Sequence, residues 1–495
     1  MQHEAFKPSE LPDDFRLLDD ETLLHVASIT PTVPQRKPSS LREFYRLTSA
    51  KNDSEVGANG PAVAALALET DQPIPQHQGL YDVVFGRDAL RVAIDLARHY
   101  PRLAESTILT LAKLQGTTYD THHEEEPGRI IHEARDPDDP IAQELTKRLG
   151  WQWPYYGSVD ATPEFIRTLS AYCRLAEENK GFLFQHYTDK DGRPRIIADA
   201  LTFAVDWILQ RMDQNPEDLL EFRAAFPHSI ENQVWKDSWD AYHHADGTLA
   251  NHKKGIASIE VQTVTHDALL DAANLYETVL NRQEAAEALR ERAHKLGRVI
   301  LDRFWTDEKG GYFVLGTDRS DTGTLRQLKI RTSNMGHVLN SHLLEGDSEE
   351  YVHKRNAVLN QLMSPEMLAI SGIRTLACDE RRYRAGAYHN GSVWIWDTHH
   401  VAKGARRHST TDTRFGAFAD ELDQRILQVV NTTGSFPEYV RGGDAIATNT
   451  RIIDVRDKTS RRINRVEQPP QEVQAWTVAA ILATKRRRDE RGLPL

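Results

Sequence analysis

The sequence predicts a mainly α-helical protein, a barrel of helical hairpins with a pocket at its loop end. Three observations predict it. Eleven segments after residue 60 carry apolar residues three and four apart, as Ile300, Leu301 and Phe304 do. The connections between them are long and rich in Gly, Trp, Tyr, His and Asp, and long ordered loops are uncommon unless they carry function. No series of strands alternates with the helices, which argues against a parallel β/α barrel or a dinucleotide-binding sheet.

Residues 1–60 read as an arm or set of loops, because Pro8, Pro12, Pro31, Pro34 and Pro38 interrupt any periodic run. Residues 61–495 then read as one domain. Helical periodicity covers Arg87 to His99, Arg102 to Leu114, Pro163 to Ala176, Ile197 to Met212, Glu260 to Leu280 and Gln283 to Phe304. It resumes over Ser333 to Leu344, Glu349 to Leu362, Thr398 to Arg406, Thr411 to Val430 and Gln471 to Lys485. Residues 115–160, 233–259, 306–330, 372–397 and 431–470 are the loops, with Tyr312-Phe313-Val314 a short strand after two glycines.

Composition narrows the chemistry. The 495 residues hold 61 Lys and Arg against 73 Asp and Glu, a formal charge of −12, which disfavours a general nucleic-acid surface. Two cysteines, Cys173 and Cys378, cannot make a disulfide framework and suit a reducing compartment. The first residues lack the basic and then apolar pattern of a secretory signal, and no window approaches about 18 uncharged apolar residues. A soluble, cytoplasmic protein without a membrane partner is the expectation. Glycine-rich phosphate loops and a Gly-x-Ser-x-Gly elbow are absent, so nucleotide, kinase and serine-hydrolase chemistry is not expected. The adjacent pairs His122-His123, His243-His244 and His399-His400 lack the spacing of helical metal ligands, so no metal or cofactor is expected either.

Acid chemistry on a small neutral carbohydrate fits what remains. Trp235-Lys236-Asp237-Ser238-Trp239-Asp240, followed by Asp246-Gly247-Thr248, sets carboxylates among indole rings that stack on sugars. A carboxyl beside an aromatic wall is partly desolvated, which favours its protonated form and suits a general acid. Asp240 is the first candidate and Asp237 the fallback; a plain helix-capping role is the structural alternative for both. A partner carboxylate belongs on a distant loop, because inversion needs a base on the opposite face of the ring. Glu438, in Gly434-Ser435-Phe436-Pro437-Glu438-Tyr439, suits that role, since glycine and proline fix a tight turn and the aromatics shield the carboxylate.

Three further stretches add recognition chemistry. Arg87 and Asp88, opening a helix after Tyr81, offer a donor fork and an acceptor to vicinal hydroxyls, or else a surface ion pair. The run from Trp151 to Pro163 crowds Trp153 and Tyr156 ahead of a helix, with Asp160 reading as a structural group or hydroxyl acceptor. Between Ala387 and Asp397, Tyr388, His389, Trp394 and Trp396 share one loop with polar partners.

Taken together, Gly86-Arg87-Asp88, Gly157-Ser158-Val159-Asp160-Ala161-Thr162-Pro163, Trp235 to Asp240, Glu260-Val261-Gln262, Gly391-Ser392-Val393-Trp394 and Pro437-Glu438 occur in an order the chain shares with amylo-α-1,6-glucosidase-like proteins. The chain resembles that group from about Tyr81 to Trp476, and more distantly resembles mannosylglycerate hydrolase and glucoamylase. The resemblance implies the (α/α)6 barrel of six-hairpin glycosidases and an inverting, exo-acting α-glycosidase needing no cofactor. By motif, Asp240 resembles the general acid and Glu438 the base, while Arg87 and Asp88 look like the pair that holds the terminal sugar. Trp235, Lys236, Gln262, Trp394 and Trp476 would line the pocket, with Tyr81, Trp153, Tyr156, Tyr388, His389 and Trp396 as further sugar contacts.

Only a short arm precedes Tyr81, where many debranching-type relatives carry a β-rich domain, so small α-glucosides or glycosides of a small acid such as glycerate are expected rather than polymeric glycogen. Two rival readings are a sugar epimerase or isomerase relying on histidines such as His389, and a carbohydrate-binding barrel without activity. The sequence leaves the oligomeric state open.

Overall fold

Two kinds of helix build the protein, and they differ in how much of their circumference is buried. In the computed structural model the described residues are 83–448, 470–471 and 474–492, with backbone alone for 451–456 and 463–468. The arm of residues 1–60 and Tyr81 lie outside them. In chain order the helices are α1 (Gly86–Leu96), α2 (Pro101–Lys113), α3 (Pro140–Leu149), α4 (Ala161–Cys173), α5 (Ile197–Asp213) and α6 (Ile259–Thr278). They continue with α7 (Gln283–Arg303), α8 (Asn334–His337), α9 (Glu349–Leu362), α10 (Ile395–Arg407), α11 (Thr413–Thr433) and α12 (Ala475–Glu490).

Helix α7 buries Ala286, Leu289, Ala293, Leu296 and Ile300, one stripe at steps of three and four, and leaves its charged face to solvent. Each of its larger apolar side chains contributes roughly 1.5–3 kcal/mol when fully buried. Helix α6 instead buries residues around nearly its whole circumference, including Glu260, His266, Asp267 and Asp271. A helix covered on all sides belongs inside. The buried Asp267 is offset by Arg167, by the Ser341 hydroxyl at 2.8 Å and by the His342 N–H at 3.0 Å, as a buried charge requires.

The packing order follows from this difference. Helices α1, α4, α6, α8, α10 and α12 each touch the next, and α12 returns to α1, so six inner helices close a ring. Helices α2, α5, α7, α9 and α11 lie outside it, each following an inner helix to form a hairpin. This is the predicted mainly-α barrel of helical hairpins. Short antiparallel pairs sit where inner helices begin: Val84–Phe85 on Glu133–Ala134, Ala257–Ser258 on Gly316–Thr317, and Val393–Trp394 on Tyr439–Val440. The first strand of each pair runs directly into an inner helix.

Two departures from the sequence reading have local causes. The segment Ser333 to Leu344 is not one helix: after α8 it tightens into single 3₁₀ turns at Val338–Asn340 and His342–Leu344. Ser341 between them is extended, its hydroxyl accepting from Leu343 N–H and donating to Asp267, a side-chain bond that competes with helix. Helix α3 lies inside a stretch read as loop, capped by Asp139, started by Pro140 and ended by Gly150 at φ 77°. Tyr312–Phe313 is the expected short strand, paired with Trp305–Thr306.

Candidate active site

The N-termini of α1 and α12, with loops that precede α4, α6, α10 and α12, enclose a cavity of about 620 Å³, open space included. Phe85, Arg87 and Asp88 come from the start of α1, Trp235 and Asp237 from the loop before α6, Tyr388 and Trp394 from the loop before α10. Glu438, Gln471 and Gln474 come from the segment leading into α12, Ala475 and Trp476 from its first turn, and His132 from the loop after α2. Helix N-termini present unsatisfied N–H groups and a positive dipole end, so this mouth favours oxygen-rich and anionic groups.

Arg87 anchors the floor. Its Nη1 donates to both oxygens of Asp160 at 3.2 and 3.1 Å, Asp88 lies 3.8 Å from its Nε, and Asp237 lies 4.0 Å from its Nη2. Burial alone would lower the Arg87 pKa, but Asp160, Asp88 and Asp237 outweigh it and hold the guanidinium firmly charged. Asp160 also accepts from the Ser158 hydroxyl at 2.5 Å and makes no capping bond to α4, so its work is to seat Arg87. Removing one partner of such a buried pair costs about 3–5 kcal/mol.

Asp88 is pushed up to about 6, first by burial and then by the charges of Asp160 and Glu438, against the pull of Arg87. The His132 imidazole is held well below its usual range by burial and by Arg87, Arg129 and Arg135, and is neutral at pH 7. Glu438 is fixed at both oxygens: the Tyr388 hydroxyl donates to Oε1 at 2.6 Å and the Gln471 N–H to Oε2 at 3.1 Å. The wall is aromatic, with Trp394 edge-on to Trp476 at 5.6 Å and to Trp235 at 6.1 Å.

The cavity thus gathers Arg87, Asp88, Trp235, Asp237, Tyr388, Trp394, Glu438 and Trp476 of the residues expected at a sugar site. Asp240 is not among its lining residues; its carboxylate lies 3.9 Å from Arg382, and its carbonyl accepts from Asn390 at 3.0 Å. Lys236 is fully buried, donating to the Thr375 carbonyl at 2.6 Å. Burial lowers its pKa to about 8, against Asp397 and Glu260. Gln262 clasps the backbone of Leu220, accepting its N–H at 3.0 Å and donating to its carbonyl at 2.9 Å. Trp153 packs with Ala142 and Tyr155 in a separate small cluster under α3, and the Tyr156 hydroxyl donates to the Leu114 carbonyl at 2.7 Å. Trp396 backs the wall, stacked on Trp476 at 5.1 Å, and His389 stands behind Trp394. The sequence reading did not select His132, Gln471 or Gln474 as sugar contacts, although the two glutamines precede an inner helix much as Asp237 and Tyr388 do.

Among solved structures the chain is similar to the GH63 mannosylglycerate hydrolase from Thermus thermophilus. The complex with Tris and D-glycerate matches with a TM-score of 0.56 at 14% identity, over 86% of this chain and 100% of that one. The complex with glucose matches with a TM-score of 0.52 at 15% identity over the same shares. At that identity the likeness shows the fold. No curated protein matches the chain by sequence. A family described as the mannosylglycerate hydrolase MGH1-like glycoside hydrolase domain matches residues 82–444, most of the chain and nearly the whole ring, with Arg87, Asp237 and Glu438 inside it. The chain therefore belongs to the MGH1-like glycoside hydrolases.

Proposed function

We infer that the protein is an inverting, exo-acting α-glycosidase that removes one terminal sugar, glucose first among the candidates, from a small glycoside. One observation carries the reading: Glu438 and Asp237 line the same aromatic cavity, with Arg87 and Asp88 beside them to hold sugar hydroxyls. Glu438 takes a proton from the attacking water, and a carboxyl from the Trp235–Asp240 loop protonates the leaving oxygen. Asp237 lines the cavity and is the acid this geometry favours. Asp240, beside Arg382, is the second reading, supported by its place in the motif order. The mechanism requires the two carboxyl groups about 6.5–9.5 Å apart, room for one water.

The leaving group is small. Arg381, Arg382 and Arg384 lie on the segment that meets the acid loop, where Arg382 Nε donates to the Gly247 carbonyl at 2.7 Å. Positive charge on that segment, with Arg382 3.9 Å from Asp240, suits an acidic leaving group such as glycerate, so a glucosylglycerate or mannosylglycerate substrate stands beside plain α-glucosides. Among the described residues no helix is long and apolar enough to cross a membrane; the acidic chain with two cysteines suits the cytoplasm.

The test is a screen of α-linked disaccharides and glycosylglycerates for released sugar, followed by Glu438→Gln, Asp237→Asn and Asp240→Asn. Glu438→Gln and Asp237→Asn are expected to keep the fold and lose about 10²–10⁴ in turnover. An Asp240→Asn variant inactive beside an active Asp237→Asn would move the acid three residues along. Full turnover in Glu438→Gln would overturn the mechanism.

A further inference from the structure

Three consecutive residues reach both carboxylate-bearing loops. The Tyr388 hydroxyl donates to Glu438 Oε1 at 2.6 Å. His389 Nδ1 receives the Ser238 N–H at 3.2 Å and meets the Ser238 hydroxyl at 2.8 Å, one residue after Asp237. The Asn390 amide donates to the Asp240 carbonyl at 3.0 Å. We propose that Tyr388, His389 and Asn390 are a positioning bridge that sets the distance and mutual orientation of the acid and the base across the cavity. The proposal rests on the two-carboxylate reading above.

The geometry constrains how each residue acts. A backbone N–H is always a donor, so the Nδ1 that meets Ser238 N–H is an acceptor, and the imidazole carries its proton on Nε2. The 3.8 Å approach of that same Nδ1 to Asp237 is then a packing contact and not an ion pair. His389 holds the acid loop by its backbone, whereas Tyr388 holds the base by its carboxylate. The bridge itself is stiff. Its ends are pinned by the Tyr388 carbonyl, which accepts from the Trp394 indole at 2.8 Å, and by Gly391 N–H, which donates to the Thr375 hydroxyl at 3.0 Å. Its rings pack in sequence, Tyr388 tilted against His389 at 4.3 Å and His389 stacked on Trp394 at 5.2 Å. Gly391 at φ 143° lets the backbone pass where a Cβ would stand 2.3 Å from the Arg384 carbonyl. A rigid span between two loops transmits position, which a productive geometry requires to within a fraction of an ångström.

Leaving-group dependence separates the two ends, because fluoride departs without a proton and an alkoxide does not. The wild type is assayed on glycosyl fluoride and methyl glycoside of the α-gluco and α-manno series. Tyr388→Phe is expected to lower kcat about 10- to 100-fold on both leaving groups with KM within about threefold, since it disturbs only the base. His389→Leu is expected to lower kcat on the methyl glycoside by about tenfold more than on the fluoride. His389→Asn, whose Oδ1 can take the place of Nδ1, recovers most of that loss. If His389→Leu does not fold, Asn390→Ala carries the same test. Equal losses on both leaving groups in the acid-side variants, or losses carried by KM, would overturn the bridge while leaving the glycosidase intact. A wild type that hydrolyses neither series would overturn both.

Discussion

Asp88 shows how a single residue serves the site against the fold. Its folded pKa, about 6, lies above the ordinary 3.8, so the folded protein binds this proton more tightly than the unfolded chain does. The stability it contributes is full below the ordinary value and is lost as pH rises through about 6. At pH 7 the ionised Asp88 therefore destabilises the fold by an amount on the order of 3 kcal/mol, at about 1.36 kcal/mol for each pH unit between the two values. Asp88→Asn is expected to raise the denaturant midpoint at pH 7, to leave it nearly unchanged at pH 4, and to raise KM by exchanging one of two acceptor oxygens for an NH2 donor. For the wild type, KM is expected to rise as pH falls through about 6, when Asp88 takes up its proton. A variant less stable than wild type at pH 7 would contradict the electrostatic account.

At the scale of elements, the start of α1 depends on Gly86, where a Cβ would stand 2.0 Å from the Ile131 carbonyl. The strand and helix N-terminus could not then keep their place against the loop that brings His132 to the cavity. Gly86→Ala is expected to cost about 1–3 kcal/mol in stability and to weaken substrate binding through Arg87 and Asp88, checked by thermal melts and KM. Much of this level was legible in the sequence. Helices α2, α5, α7 and α9 lie within a residue or two of their periodic runs, because outer helices keep one apolar stripe that a 3.6 period detects. Inner helices α4 and α10 start two and three residues before the runs read for them, because their first turns continue stretches whose aromatic and acidic composition reads as loop. Helix α3 was marked by Asp139, Pro140 and Gly150, yet it buries only Ala142, so no stripe announced it. Trp153 and Tyr156 have the residue types of a sugar platform but serve packing, and composition does not distinguish an indole facing a cavity from one facing a helix.

For the whole molecule, the closed ring explains why residues more than 350 positions apart share one site. Arg87 follows the first inner helix start and Glu438 precedes the last, and the contact of α12 with α1 brings those ends together. Paired helical runs with aromatic and acidic loops already pointed to a barrel of hairpins, whereas its six-hairpin form became an expectation only through the ordered motifs. The glycosidase framework follows from the family and the cavity, while the stereochemical course is the central claim of the mechanism. It is tested most directly by proton NMR of the sugar first released from an α-glycoside, recorded before mutarotation. The account predicts that the β-anomer appears first, because water activated by Glu438 attacks the face opposite the leaving group. An α-anomer appearing first would contradict it.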